Sequence, residues 1–174
     1  MKRFMIAAVA ALSALVATPA LAQDNTGNFD GARLGVVLGA TGEDFPTDDA
    51  SATYGAVAGY DVAVSDNFLL GVEADVAFFD NDVQDDRQLS AAVRATVPVG
   101  ARTALFASAG YSNYRADVGP FELEFDGYRV GGGAELNLAP NLYTTLEYRY
   151  TDYDTNGLGE LGGHSALVGF GLRF

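Results

Sequence analysis

The 174-residue chain contains no cysteine and no tryptophan, and it has a single histidine. Without cysteine it lacks the disulfide framework on which small secreted domains often depend, so its stability must come from elsewhere. Positive charge is also scarce: 10 Lys and Arg stand against 23 Asp and Glu, giving a formal net charge of −13. A chain this acidic has no basic patch to displace counterions from phosphates, so we expect no nucleic acid among its partners.

Residues 1–22 have the three parts of a secretory signal peptide. Lys2 and Arg3 supply the positive charge, residues 4–16 form an apolar run too short to cross a bilayer, and Ala20 and Ala22 are the small residues that signal peptidase requires. We therefore predict cleavage after Ala22, which leaves residues 23–174 as one domain. The loss of Lys2 and Arg3 takes the formal net charge from −13 to −15.

The rest of the chain has no apolar run of the roughly 18 residues that a transmembrane helix needs. A two-residue hydrophobic period dominates instead, which is typical of β-strands with one apolar face. Each alternating segment supplies about the 9 to 11 residues with which a tilted strand crosses a bilayer. Eight segments are predicted, near residues 31–40, 54–64, 68–79, 89–98, 103–114, 128–138, 145–151 and 166–174.

Short and long connections alternate between these segments. Short turns are predicted at residues 65–67, 98–102 and 139–141, and longer connections, rich in Asp, Glu and Gly, at residues 41–52, 80–87, 116–126 and 154–163. An up-and-down barrel gives this pattern when its turns face the periplasm and its loops face outward. The predicted fold is therefore all-β, an eight-stranded antiparallel up-and-down transmembrane β-barrel.

Alternation alone does not say which face meets lipid, because a soluble eight-stranded lipid carrier would turn its apolar face inward. The polar face here is crowded with glycine, which suits the narrow interior of an eight-stranded barrel. Aromatic residues on the apolar face lie at strand ends, as in the interfacial girdles of membrane barrels. They are Tyr54, Phe78, Tyr111, Tyr128 and Tyr150 toward the long connections, and Phe68 and Phe174 toward the short turns. These features favour the membrane barrel.

The polar face also carries nearly balanced charges, although the whole chain is acidic. Its basic residues are all arginine, whose planar fork can hold two carboxylate oxygens and so suits an enclosed, paired interior. We predict a lumen charge network of Arg33, Asp61, Glu73, Asp75, Arg94, Arg129, Glu135, Glu147 and Arg149. The network could act as a gate or selectivity element, but the narrow lumen favours a paired plug.

The C-terminal sequence Gly169-Phe170-Gly171-Leu172-Arg173-Phe174 resembles the signal that the barrel-assembly machinery reads, with alternating apolar residues and a terminal Phe. With the glycine-rich sixth and aromatic seventh segments, it makes residues 29–174 similar to the small outer-membrane β-barrel proteins of the opacity and outer-membrane-protein-A transmembrane-domain type. The resemblance implies a place in the cell outer membrane, contact with its lipid and lipopolysaccharide, and an assembly signal formed by Phe170, Leu172 and Phe174.

The resemblance says little about activity, because barrels of this type include structural proteins, adhesins, weak pores and a few enzymes. We expect a monomeric structural or surface-interaction barrel that supports envelope integrity. A narrow porin passing ions or very small solutes is the first alternative, and a lipid-modifying enzyme is the second.

Candidate catalytic and metal-binding residues are few. Some lipid A deacylases of this architecture use a His and a Ser on the lipid-facing wall, but the parity of the last strand places His164 toward lipid and Ser165 toward the lumen. No acid on the same face is evident to orient the imidazole, so we predict no catalytic residue, no enzyme activity and no cofactor. Carboxylates in the long connections could bind Ca²⁺ or Mg²⁺ but lack the rest of an EF-hand loop, so a solvated acidic surface without metal is predicted. They are Asp44, Asp48, Asp49, Asp80, Asp82, Asp85 and Asp86.

Overall fold

The computed structural model describes residues 29–43, 50–81, 84–118, 121–154 and 161–174. The predicted signal peptide lies outside these ranges. The described residues form eight strands: β1 (Gly31–Gly42), β2 (Ser51–Ser65), β3 (Phe68–Asn81), β4 (Gln84–Pro98), β5 (Thr103–Val118), β6 (Phe121–Ala139), β7 (Leu142–Asp154) and β8 (Leu161–Arg173). No helix in the described part of the chain is long and apolar enough to cross a membrane.

Every strand pairs antiparallel with the next in sequence, and β8 pairs with β1 to close the barrel. At the closing seam, the Phe174 amide donates to the Ala32 carbonyl at 2.8 Å, and the Ala32 amide donates to the Phe174 carbonyl at 3.2 Å. Closure satisfies the backbone groups that an open sheet edge would expose to lipid. The predicted fold class and strand number are confirmed.

Two of the four predicted long connections are wrong in extent. The strands leave only residues 82–83 between β3 and β4, and only residues 119–120 between β5 and β6. The predictions for residues 80–87 and 116–126 therefore covered mostly strand, including six residues at the start of β6. Hydrophobic alternation fades here because a ladder that extends beyond the membrane need not keep one face apolar, so the sequence resembles a loop although the pairing continues.

The apolar face of the barrel points outward. Leu38 is 55% exposed, Val72 61% and Leu146 64%, whereas the residues that alternate with them are mostly buried. A continuous apolar surface of this kind is rare on soluble monomers and marks contact with another apolar phase, here lipid. Aromatic side chains lie on this face near the strand ends, and Tyr54 stacks on its cross-strand neighbour Phe78 with ring centroids 5.7 Å apart.

Glycine makes room for the charged interior. A Cβ on Gly71 would lie 2.1 Å from Oδ1 of Asp61, so any side chain at this position would displace that carboxylate. The interior is narrow enough that large polar groups fit only where their neighbours have no side chain.

Candidate functional site

The interior of the barrel is layered along its axis. We call the end that carries the connections at residues 66–67, 99–102 and 140–141 the turn end, and the opposite end the loop end. An apolar cluster of Phe29, Leu69 and Ala104 lies at the turn end. Ion pairs fill the middle of the lumen, and hydroxyl and amide side chains line it toward the loop end.

The central layer begins with Arg33, on β1. Its Nε donates to Asp61 at 2.8 Å and its Nη2 donates to Glu73 at 2.6 Å. Arg129, on β6, donates to Glu73 and also to Asp75, so that its guanidinium joins the two carboxylates of β3. Asp61 is 1% exposed and Arg129 0%, which places these charges out of contact with solvent.

The chain of ion pairs continues on both sides. Arg149 lies 3.0 Å from Glu147 and 3.5 Å from Asp75. Arg94 lies 2.9 Å from Glu135 and 3.6 Å from Asp61. The nine residues that the sequence analysis grouped as a lumen network are thus all buried and connected to one another through short charge contacts.

Arg173, on β8, is a tenth member that the predicted network did not include. Its Nη2 donates to Glu135 at 2.8 Å and its Nη1 to Asp61 at 3.1 Å, so Asp61, Arg94, Glu135 and Arg173 form a closed ring. The signal that could have found it is charge balance. Four predicted arginines faced five carboxylates, and with Arg173 the network has five residues of each charge.

Two aromatic side chains complete the central layer. Phe106, which interrupts the polar face of β5, lies under Arg94 with 4.0 Å from the guanidinium carbon to the ring centroid. Tyr143, which the sequence analysis did not single out, is 2% exposed and lies 5.6 Å from the guanidinium of Arg173. Both rings stabilise buried cations through the negative face of the aromatic system.

Toward the loop end, the lumen side chains pair among themselves. The Thr41 hydroxyl is 2.8 Å from the hydroxyls of both Thr53 and Ser165, and Ser112 donates to Ser90 at 2.9 Å. The Thr41 contacts join β1 to β2 and β8, and the contact between Ser112 and Ser90 joins β5 to β4. These hydroxyls satisfy one another's hydrogen-bonding groups, so this layer needs no charged side chain.

Asp86 corrects the prediction of a solvated acidic surface at one position. The side chain is 4% exposed, on β4, and accepts a hydrogen bond from the Tyr114 hydroxyl at 2.6 Å. The Tyr114 ring also packs against Phe79 and Tyr153, with centroids 6.0 and 5.6 Å away. Asp80 is exposed on β3, Asp85 lies on the same hairpin, and Asp44, Asp48, Asp49 and Asp82 lie outside the described residues.

The free space among the charged side chains is small. A cavity of about 20 Å³, bordered by Arg33, Arg94, Tyr143, Thr145 and Glu147, has room for about one water molecule. Within the described residues there is no group of three or more side chains arranged to hold a metal ion. The geometry is that of a filled lumen whose charges neutralise one another.

His164 lies on the outer face near the loop end. Its Nδ1 is 2.6 Å from the Tyr148 hydroxyl, and its ring packs against those of Tyr148 and Tyr150, with centroids 5.8 and 4.9 Å away. Ser165 faces the lumen, where Thr41 engages it. The two residues are thus on opposite sides of the barrel wall and do not form a nucleophile and base pair.

The hairpin of β5 and β6 extends beyond the aromatic girdle at the loop end. Asn113 donates to Glu124 and to Asp126, each at 2.8 Å, and Arg115 lies 3.0 Å from Glu124. The hydrogen bond from Asn113, followed by that from Arg115, lowers the pKa of Glu124 below its usual range. A hydrogen bond from Tyr111 is the main cause of the lowered pKa of Asp126.

A closed eight-stranded barrel with an apolar outer face, aromatic girdles at both ends and a buried, ion-paired lumen defines an outer-membrane β-barrel. A sequence profile of the outer membrane protein β-barrel domain matches residues 8–174, and the chain therefore belongs to that family. It is an outer-membrane protein, and the family and location that its sequence indicated are confirmed. In this class the short turns face the periplasm, so the turn end is the periplasmic end.

Solved structures share the fold. Ail, the attachment invasion locus protein of Yersinia pestis, superposes with a TM-score of 0.62 at 17% identity, over 83% of this chain and 97% of that one. Neisserial surface protein A gives 0.58 at 16% identity, over 82% and 96%. The outer membrane enzyme PagL gives 0.54 at 18% identity, over 82% and 99%. A search of curated protein sequences finds no match. At these identities the likeness establishes the fold alone.

Proposed function

We propose that this protein is a non-enzymatic structural or surface-interaction barrel that supports the integrity of the outer membrane. The observation that carries this proposal is the filled lumen, in which five arginines and five carboxylates are buried and joined by ion pairs. Removing one partner of such a network leaves an uncompensated buried charge, which is strongly destabilising. A barrel that must conduct or bind a substrate in its interior would not gain from this arrangement.

The outer surface supports the same proposal. Its apolar band and tyrosine girdle suit stable insertion among outer-membrane lipid and lipopolysaccharide, as a monomer with no further partner needed to cover it. The extended β5–β6 hairpin presents the exposed pair Arg115 and Glu124 beyond the girdle, with side chains 35% and 49% exposed. This hairpin is the part of the described chain best placed to meet other molecules at the cell surface.

A narrow porin is the second candidate, because the small cavity lies among the charged side chains and is bordered by Arg33, Arg94 and Glu147. Passage of an ion would require several of the ion pairs to separate at once. The enzyme alternative has less support: PagL shares the fold, but here His164 and Ser165 lie on opposite sides of the wall.

The proposal is tested in cells that lack the protein. We expect greater entry of a large hydrophobic dye and greater sensitivity to detergent, both restored by the native chain. A variant with residues 116–125 replaced by a short turn, checked for folding by heat-dependent gel mobility, separates the two roles. It should restore integrity if the barrel acts as a structural element, and fail to do so if the hairpin acts through a surface partner. An unchanged envelope in the deletion strain would contradict the integrity role.

A further inference from the structure

Phe29 is buried although it precedes the first strand. Its side chain is 2% exposed, two residues before β1 begins at Gly31. It belongs to one buried hydrophobic cluster with Leu69 of β3 and Ala104 of β5, which are 3% and 0% exposed and lie at the turn end of their strands. The three side chains come from the segment before β1, from β3 and from β5, so the cluster joins distant parts of the chain at this end of the lumen.

The last strand holds this segment in place. Nη1 of Arg173 donates to the backbone carbonyl of Phe29, and the same guanidinium is fixed by Asp61 at 3.1 Å and Glu135 at 2.8 Å. Arg173 therefore ties the residue before β1 to β2, β6 and β8. A guanidinium with three acceptors in different elements is held in one orientation, because its donors form a rigid fork.

The backbone between Phe29 and β1 is shaped for this contact. Gly31 has a φ of +103°, a conformation that favours glycine, and a Cβ at this position would lie 2.2 Å from the Phe174 carbonyl oxygen. The chain therefore changes direction at Gly31 while passing against the C-terminal residue. This change of direction lets the segment before β1 turn into the mouth of the barrel instead of continuing along the strand axis.

We propose that Phe29 is a stopper that closes the periplasmic mouth of the lumen against water, and that Arg173 locks it in place. The stopper is distinct from the ion-pair network above it. The network fills the lumen and blocks ions, whereas the stopper keeps water and small periplasmic solutes away from the turn-end side chains. Arg173 belongs to both, and through it the position of Phe29 is coupled to the ring of Asp61, Arg94 and Glu135.

The test uses introduced cysteines, which are unique reporters because the chain has none of its own. Thr96→Cys places a thiol beside the buried cluster, at a residue that is 2% exposed and paired with Leu69 in the strand register. Ser112→Cys places one in the loop-end layer, at a residue that is 0% exposed. The protein is extracted from outer membranes into detergent micelles, its folding is checked by heat-dependent gel mobility, and a small charged methanethiosulfonate is added.

With Phe29 present, the Thr96→Cys thiol should react slowly. Phe29→Ala should raise its rate about tenfold or more by allowing local opening to water, while the conservative Phe29→Leu leaves it nearly unchanged. The Ser112→Cys thiol should react at the same rate in all three backgrounds. Rapid reaction at Thr96→Cys with Phe29 intact, or no acceleration by Phe29→Ala, would overturn the proposal.

A second variant needs no substitution elsewhere, in case Phe29→Ala does not fold. Phe29→Cys should react about tenfold more slowly than Gly100→Cys. Gly100 is exposed between β4 and β5, and a Cβ at this position would have no non-neighbouring heavy atom within 4 Å. Equal rates would place residue 29 in solvent and reject the stopper. Ion conductance through the native protein would contradict both the stopper and the proposed function, whereas a thiol result that rejects the stopper leaves the ion-paired lumen and the proposed function standing.

Discussion

Arg94 and Glu135 lie 41 residues apart in the sequence and are joined at 2.9 Å, between Nη2 and Oε2, from β4 to β6 over the intervening β5. Their side chains are 1% and 0% exposed. Water cannot compensate either charge if its partner is removed, so each depends on the other and on the rest of the network. Burying these two charges is costly unless they are paired. The pairing therefore favours the strand arrangement that brings β4 and β6 together across the lumen.

Loss of one partner should therefore destabilise the barrel strongly. We expect Arg94→Ala or Glu135→Ala to lower the free energy of unfolding by about 3–5 kcal/mol, because each leaves the buried network with one uncompensated charge. The measurement is reversible urea unfolding of the barrel in lipid vesicles. Arg115→Ala is the matched control, since it removes an exposed ion pair of similar length and should cost less than about 1 kcal/mol.

The double variant Arg94→Met with Glu135→Met completes the test. Replacing both partners of a buried pair by apolar groups is often nearly neutral, so its cost should be clearly less than the summed costs of Arg94→Met alone and Glu135→Met alone. Additive losses, or single losses no larger than that of Arg115→Ala, would show that the pair is not a coupled unit.

The contacts of the β5–β6 hairpin predict a pH dependence. Hydrogen bonds from Asn113 and Arg115 lower the folded-state pKa of Glu124 below its ordinary value of 4.5. A lowered folded pKa means that this stabilisation is fully present above the ordinary glutamate range and is lost as the pH falls through the folded pKa. Titration of the Glu124 carboxyl by carbon NMR should give a midpoint below that of the free hairpin peptide, and Asn113→Ala should raise it. A midpoint equal to that of the peptide would contradict the contact.

The assembly signal predicted at Phe170, Leu172 and Phe174 remains to be tested. Phe174 lies on the outer face, 42% exposed, so Phe174→Ala leaves the packed lumen intact and should hardly change folding into synthetic lipid vesicles. In cells, the same variant should reach the outer membrane in reduced amount, because the terminal aromatic would be read by the assembly machinery. Leu138→Ala, a similar loss from the outer face, is the control. Equal amounts of both variants in the outer membrane would contradict the prediction that Phe174 is part of an assembly signal.

His164 provides the test of the enzyme alternative. Its imidazole packs against Tyr148 and Tyr150, and Ser165 lies on the other side of the wall, so His164 is not placed to activate Ser165. Mass spectra of lipid A should be identical in cells that make the native protein, His164→Ala, or no protein at all. A modified lipid A species that appears with the native chain and disappears with His164→Ala would establish a catalytic histidine.

The number of strands and the outward direction of the apolar face could be predicted from the sequence, because each membrane-crossing residue faces either lipid or a narrow polar lumen. The same constraint explains why nine buried charges could be grouped before their contacts were known. It does not operate beyond the girdle, which is why the extended β5–β6 hairpin was mistaken for a loop. Asp86 lies in the same region, where alternation does not indicate which side chains are buried. Its partner Tyr114 is also 28 residues away in the sequence, so no local pattern points to the contact.

The turn end was harder to predict. Phe29 lies outside any alternating segment, and no local pattern indicates that a residue before the first strand returns to the lumen. Arg173 was visible on the polar face of the last strand, but its role depends on three acceptors from different parts of the chain. Contacts of this kind are set by closure of the barrel, which brings the two ends of the sequence together.

The most direct test of a filled, ion-paired lumen is single-channel conductance of the purified, folded protein in planar bilayers. The structure predicts silence at moderate voltage, both for the native chain and for Phe29→Ala, because the ion pairs remain when the stopper is removed. Reproducible current steps whose size changes with Arg94→Gln or Glu73→Gln would contradict this account and make the protein a narrow pore that conducts through its charged interior.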